Sequence, residues 1–416
     1  MIASALSVRV GSGEASAHAI SGNQAQMKLT HEHEELRRSL RRFVETEIDP
    51  YADAWEEAEI FPAHDLFRKA GTAGFLGICK PVEFGGLGLD YSYSMVAAEE
   101  WGRALAGGVA TALGVQTDMA TPALAKHGSD ALRREFLAPA ISGEQVACIG
   151  VSEEGAGSDV ASIRTRAVRD GDDYVITGSK MWITNGTQAD WMCLLANTSD
   201  GQPHRNKSLI VVPLKSKGVT VARKLRKLGL HASDTAQLYF DNVRVPIRNR
   251  IGDEGRGFIY QMEQFQEERL YAAAKAVSML ETAIAITIDY VRERKAFGKA
   301  LIDMQTIQHK IAAMHAEVEA LRAITWAAAE QYVGGGDVTQ KASVAKYLAG
   351  KLALEIPNAC MQFWGGQGYM WESRISRIMR DIRLTAIGGG ANEIMLQVIA
   401  KNLRLSSEGR KAARAQ

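Results

Sequence analysis

The chain has 416 residues, with 49 Lys and Arg against 48 Asp and Glu, a net charge of +1. That balance argues against nucleic acid or an anionic membrane as a main partner, and the length exceeds one ordinary core, so two or three subdomains are expected. Cys79, Cys148, Cys193 and Cys360 are widely separated and contain no C-x-x-C pair. They read as buried thiols of a reducing compartment, not disulfides or metal ligands. No uninterrupted apolar run reaches bilayer length, and a cytoplasmic protein is expected.

Residues 1–26 are rich in Ser, Ala and Gly and lack a secretory apolar core; they read as a disordered leader. Residues 27–147 carry helical signals. Thr30 can cap a helix bearing Leu36, Leu40, Phe43 and Val44, Pro62 opens another segment, and helical signals resume at Ser92 and after Ser129.

Between residues 148 and 252 the pattern changes to strands. Short apolar runs at 174–176, 181–183, 191–195, 209–212 and 238–240 are separated by Gly-Asp, Asn-Gly and Asp-Asn punctuation. A β-barrel or sandwich domain is expected there. Residues 253–416 return to helix. Phe258–Phe297 has neither Gly nor Pro, and Leu270, Ala273, Ala274, Val277, Leu280, Ile284 and Ile288 recur at helical spacing. A second helix carries Ile307, Ile311, Met314, Val318 and Leu321; a third runs toward Pro357, and a fourth begins near Asn392, predicting a four-helix bundle. The fold class is therefore mainly α with a β insert.

Two segments carry chemistry: Cys148-Ile-Gly-Val-Ser-Glu-Glu-Gly-Ala-Gly-Ser-Asp159, then Lys180-Met-Trp-Ile-Thr-Asn-Gly186. They offer small hydroxyls, an aromatic plane and a glycine-rich turn that main chain or ligand can approach closely. Alone, Trp182 fits a core strand and Ser158 fits a turn cap. Together and in this order, the segments resemble the acyl-CoA dehydrogenase family, over about Leu29 to Leu403. The helical–β–helical order is the one that resemblance implies. It also implies FAD as cofactor, α,β-dehydrogenation of an acyl-CoA thioester to the trans-2-enoyl-CoA, electron-transfer flavoprotein as acceptor, and a homotetramer.

Residue by residue, the resemblance places Val151, Ser152, Trp182, Ile183 and Thr184 along the flavin ring, with Ser158 at the thioester end. Tyr290–Lys299 and Gln305 resemble the segment that reaches a neighbouring subunit's FAD, which assigns Arg294, Phe297 and Gln305 to the cofactor. Arginine's planar fork suits pyrophosphate. Gln362, Gly365 and Gly366 resemble the loop under the adenine half. Asn392 and Glu393 fall at cofactor positions, and Arg269 at one that contacts coenzyme A.

The catalytic base departs from much of the family. The usual loop glutamate falls at Gly389, within Ile387-Gly-Gly-Gly-Ala-Asn-Glu393, and glycine cannot take a proton. The long-chain and isovaleryl-type members place the base on the long helix instead, and the matching residue here is Glu268. Gly389 and Gly390 would leave room for that side chain, and the Gly389 N–H could serve the thioester oxygen. The alternative for Glu268 is a simple ion pair with a neighbour such as Lys275 or Arg294. Ala391 stands where threonine is usual. The expected substrate is long-chain, branched or terpenoid (citronellyl-like). An acyl-CoA oxidase that uses oxygen and an inactive CoA-binding scaffold remain the competing functions.

Overall fold

A computed structural model describes residues 29–405; the expected leader, residues 1–26, lies outside the described residues. The N-terminal part is a stack of short helices: α1 His31–Phe43, α2 Ala52–Ala58, α3 Ala63–Thr72, α4 Tyr91–Trp101, α5 Gly107–Gly114, α6 Pro122–His127, α7 Asp130–Leu132 and α8 Ala138–Ser142. Thr30 precedes α1 as expected, its N–H donating to His33 Nδ1 at 3.1 Å. Buried Leu40, Phe43, Phe67, Met95 and Trp101 form the core beneath. Phe75 meets Phe43 and Trp101 edge-on at 5.5 and 5.9 Å between ring centres, the geometry aromatic quadrupoles favour.

The middle part holds β1 Ala147–Gly150, β2 Arg166–Asp170, β3 Asp173–Thr184, β4 Trp191–Asn197, β5 Lys207–Pro213, β6 Val219–Lys224, β7 Thr235–Pro246 and β8 Arg250–Ile251. They join in the order β6-β7-β3-β2-β4-β5-β8, with β1 parallel to β4. One residue pair, Arg166 with Asn197, links β2 to β4. The sheet therefore has two arms, and a shared core of Ile176, Leu238 and Phe240 on one and Met192, Leu194 and Ile210 on the other fills the space between them. The apolar runs 174–176 and 181–183 belong to a single strand, β3, because Gly178, Ser179 and Lys180 pair with Phe240, Tyr239 and Leu238 across the intervening polar stretch.

The C-terminal part is built on α9 Gly257–Glu293, α10 Gln305–Val333, α11 Thr339–Trp364, α12 Arg374–Ile382 and α13 Asn392–Asn402. Ala276, Val277, Leu280, Ile284, Val318, Leu321, Leu352 and Ile356 form its core. Two features differ from the sequence expectation. Helix α11 runs through Pro357 to Trp364, since the burial of Ile356, Pro357 and Cys360 outweighs the one hydrogen bond that proline removes. Helix α12 was not anticipated, although Ile375, Ile378 and Ile382 at i, i+3 and i+7 carried its signal. Helix α9 is long and apolar enough to span a bilayer, but most of that apolar stretch is already buried in the fold.

Candidate active site

Helix α9 sets the geometry. At Glu267 the carboxylate is held between α6 and α10: Lys126 Nζ donates to it at 2.5 Å, and the Tyr332 hydroxyl also donates to it. Tyr91 donates to the Glu267 carbonyl at 2.8 Å and Tyr271 to the Ala110 carbonyl at 2.5 Å, pinning this turn of α9 to α4 and α5. The next residue, Glu268, points elsewhere because successive helical residues are about 100° apart. Its carboxyl has no hydrogen-bond or ion-pair partner among the described residues, so pairing with Lys275 or Arg294 is not what the fold selects.

Glu268 lies against the loop that follows α12. A Cβ placed on Gly389 would sit 3.1 Å from Glu268 Oε1 and 3.5 Å from its Cγ. Gly389 and Gly390 hold φ of +66° and +96°, which side chains disfavour. A fully buried lysine missed by the sequence reading, Lys346 on α11, fastens this loop: its Nζ donates to the Thr385 carbonyl at 2.5 Å and the Gly390 carbonyl at 3.1 Å. Its signal was faint, one cation inside an otherwise apolar helical face. Burial raises the Glu268 pKa to about 7, against the opposing pull of Arg269 and Lys346. A carboxyl so placed exchanges a proton readily near neutrality. Arg269 is itself buried, and its Nε has no partner among the described residues.

The two motif segments of the middle part lie side by side. Met181 N donates to the Ser152 carbonyl at 2.9 Å, and fully buried Lys180 donates to the Val151 carbonyl and to Glu153 Oε1, both at 2.9 Å. The β3–β7 register breaks between Lys180 and Ile183, and this bulge gives Trp182 a φ of +61° and leaves it 54% exposed. Trp182 is thus not the core tryptophan it could have been. Ser152 and Thr184 are half-buried beside it. Val151 and Ile183 bury their side chains, which leaves mainly their main chain to a cofactor. Asn185 Nδ2, at the end of β3, donates to the Ala112 carbonyl of α5 at 3.2 Å. Helix α5 in turn packs Gly114 on the Tyr271 ring, three residues from Glu268. This chain of contacts ties the exposed indole face to the Glu268 turn of α9. Ser158 lies exposed in the loop after β1, where Gly155 and Gly157 border open space.

The remaining predicted residues gather elsewhere. Arg294 ends α9, and Phe297, 96% exposed with φ +54°, tips the small hairpin after it. Gln305 opens α10 and is exposed. Gln362, Gly365 and Gly366 lie at the exposed end of α11, joined to α9 by stacked Tyr290 and Trp364, whose ring centres are 4.2 Å apart. From Glu268 to Arg294 is 26 residues of helix, about 39 Å at 1.5 Å per residue, so the structure divides the proposed cofactor residues into two separate groups. Asn392 opens α13 with its Oδ1 unpartnered, and Glu393 beside it is exposed.

Sequence models of the acyl-CoA dehydrogenase N-terminal, middle and C-terminal domains match residues 30–144, 148–243 and 255–404. The chain is 37% identical over 375 residues to the mitochondrial long-chain specific acyl-CoA dehydrogenase of Sus scrofa, covering 89% of this chain and 86% of that one. It is 33% identical over 377 residues to the mitochondrial short-chain specific enzyme of Mus musculus, covering 91% of each. The crystal structure of acyl-CoA dehydrogenase from Geobacillus kaustophilus superposes with a TM-score of 0.88 at 38% identity, covering 91% of this chain and all of that one.

Proposed function

The chain belongs to the acyl-CoA dehydrogenase family, and from that membership we propose that Glu268 is the base that takes the α-proton of its thioester substrate. As a member, it is an oxidoreductase that uses FAD to dehydrogenate acyl-CoA. FAD supplies a hydride acceptor when bound. The residues present fit such a group: an exposed indole plane at Trp182, hydroxyls at Ser152 and Thr184, and main chain freed by buried Val151 and Ile183.

The observation that carries the base assignment is the contact of Glu268 with a glycine loop that holds no carboxylate of its own. Glu268 takes the proton because burial poises it near neutrality and no hydrogen-bond or ion-pair partner holds it among the described residues. Lys346 holds the loop still, so Gly389 N–H is available to the developing enolate oxygen. Arg269, buried without a full set of partners, is the candidate contact for coenzyme A, and Ser158 the candidate contact near the thioester.

The second cofactor group, Arg294, Phe297, Gln305, Gln362, Gly365 and Gly366, lies at the far end of α9 from Glu268, about 39 Å along the helix. Asn392 and Glu393 remain proposed cofactor contacts at the start of α13. We therefore infer that protomers share FAD sites in a homotetramer, which the exposed Phe297 supports. Four free thiols support a cytoplasmic site of action. The helix-borne base supports a long-chain, branched or terpenoid substrate, with electron-transfer flavoprotein as acceptor. Anaerobic titration with acyl-CoA tests the proposal: the flavin should bleach in the wild type and not in Glu268→Gln. Absence of bleaching at every chain length would favour a scaffold, and rapid peroxide formation in air an oxidase.

A further inference from the structure

We propose that Lys275 forms a second binding subsite on the same face of α9, taking the far end of an acyl chain that terminates in a carboxylate. The proposal rests on reading Glu268 as the base and adds the chemical class of the substrate. Lys275 stands seven residues after Glu268, two turns on and about 10 Å along the same face of α9. Glu268, Ala272 and Lys275 all keep accessible surface, while Arg269, Leu270, Tyr271, Ala273 and Ala274 between them are buried. That stripe of partly accessible residues runs along α9 away from Glu268.

The ammonium there is poorly satisfied. Its Nζ donates to Thr111 Oγ1 on α5 at 2.7 Å, and Thr111 is itself committed to the Gly107 carbonyl at 3.1 Å. No carboxylate comes within ion-pair distance of Lys275 among the described residues. Asp381 attracts it from further away, but that carboxyl already accepts from Leu230 N at 2.5 Å. Burial pushes Lys346, the other cation near Glu268, toward its neutral form, and Arg269 and Lys275 add to that push. Other buried lysines here are better matched: Lys180 meets Glu153, and Lys346 meets two carbonyls. Burial lowers Lys275 to about 8, so it remains cationic at neutral pH.

A buried ammonium has three donors and no acceptor of its own, and it is costly when left with one neutral partner. An alkyl terminus arriving there would enclose the charge further. A carboxylate would neutralise it and supply the missing acceptors. The poorly satisfied ammonium therefore favours an acyl chain with an anionic end over a plain alkyl chain of equal length.

The test uses the FAD-loaded protein and matched coenzyme A esters, straight-chain and ω-carboxylated, over a series of lengths. Binding is read from the perturbed flavin absorbance in Glu268→Gln, which needs no turnover. The ω-carboxyl ester should bind about tenfold tighter at the best length, equivalent to about 1.4 kcal/mol. Adding Lys275→Met should abolish or reverse that ratio, and Lys275→Arg should keep much of it. An unchanged ratio between Glu268→Gln and the double variant overturns the subsite. If neither ester bleaches the wild-type flavin, the base assignment fails, while the binding ratio still decides the role of Lys275.

Discussion

At the scale of single residues, the site turns on one carboxyl and the absence of another side chain. Removing the base should slow anaerobic flavin reduction by about 10²–10⁴-fold, the usual span for a positioned general base, measured by stopped flow on Glu268→Gln. The wild-type reduction rate should rise with pH through about 7, as Glu268 loses its proton. The same shift has a stability consequence. Folding raises this pKa above its ordinary value, so the residue's stabilising contribution is complete in acid and is lost as pH climbs through about 7. The wild type should therefore lose thermal stability relative to Glu268→Gln between pH 5 and pH 8. Gly389→Ala should cost both stability and rate, because its Cβ meets Glu268 Oε1 at 3.1 Å and its φ is +66°; about 1–3 kcal/mol is the usual cost of such a conformation. A Gly389→Ala protein with unchanged melting temperature and unchanged reduction rate would show that the loop and base do not meet.

At the scale of elements, the loop after α12 and the bulge in β3 do the positioning. Lys346→Met should release the loop and remove a cation that opposes the raised Glu268 pKa. The pH profile of flavin reduction should then move to higher pH, an effect that mere loosening of the core would not produce. Several elements were legible in the sequence because local rules governed them. The apolar spacing of α9 and the Thr30 cap of α1 are examples. Pro357 misled because proline's effect depends on what the surrounding helix buries, and α12 escaped because its three isoleucines span little more than two turns. The exposed attitude of Trp182 was not legible either: it comes from a register shift against β7, a partner more than fifty residues away.

At the scale of the whole molecule, the two ends of α9 carry different proposed roles, the base at Glu268 and a cofactor contact at Arg294. Arg294→Ala should lower FAD content and retention without unfolding the chain, checked by the protein-to-flavin absorbance ratio and by circular dichroism. Full FAD occupancy in that variant would count against cofactor sites shared between protomers. By itself the sequence determined the three-part order, the family resemblance and the placement of the acid on a helix, since these follow from periodicity and from short contiguous motifs. Only the tertiary structure decided that Glu267 is consumed by Lys126 and Tyr332 while Glu268 has no such partner among the described residues, that Gly389 makes its room, and that Lys346 fastens the loop beside it. Those facts depend on which distant segments meet, and a side chain's partners, solvation and charge state are set by that meeting and not by its neighbours along the chain.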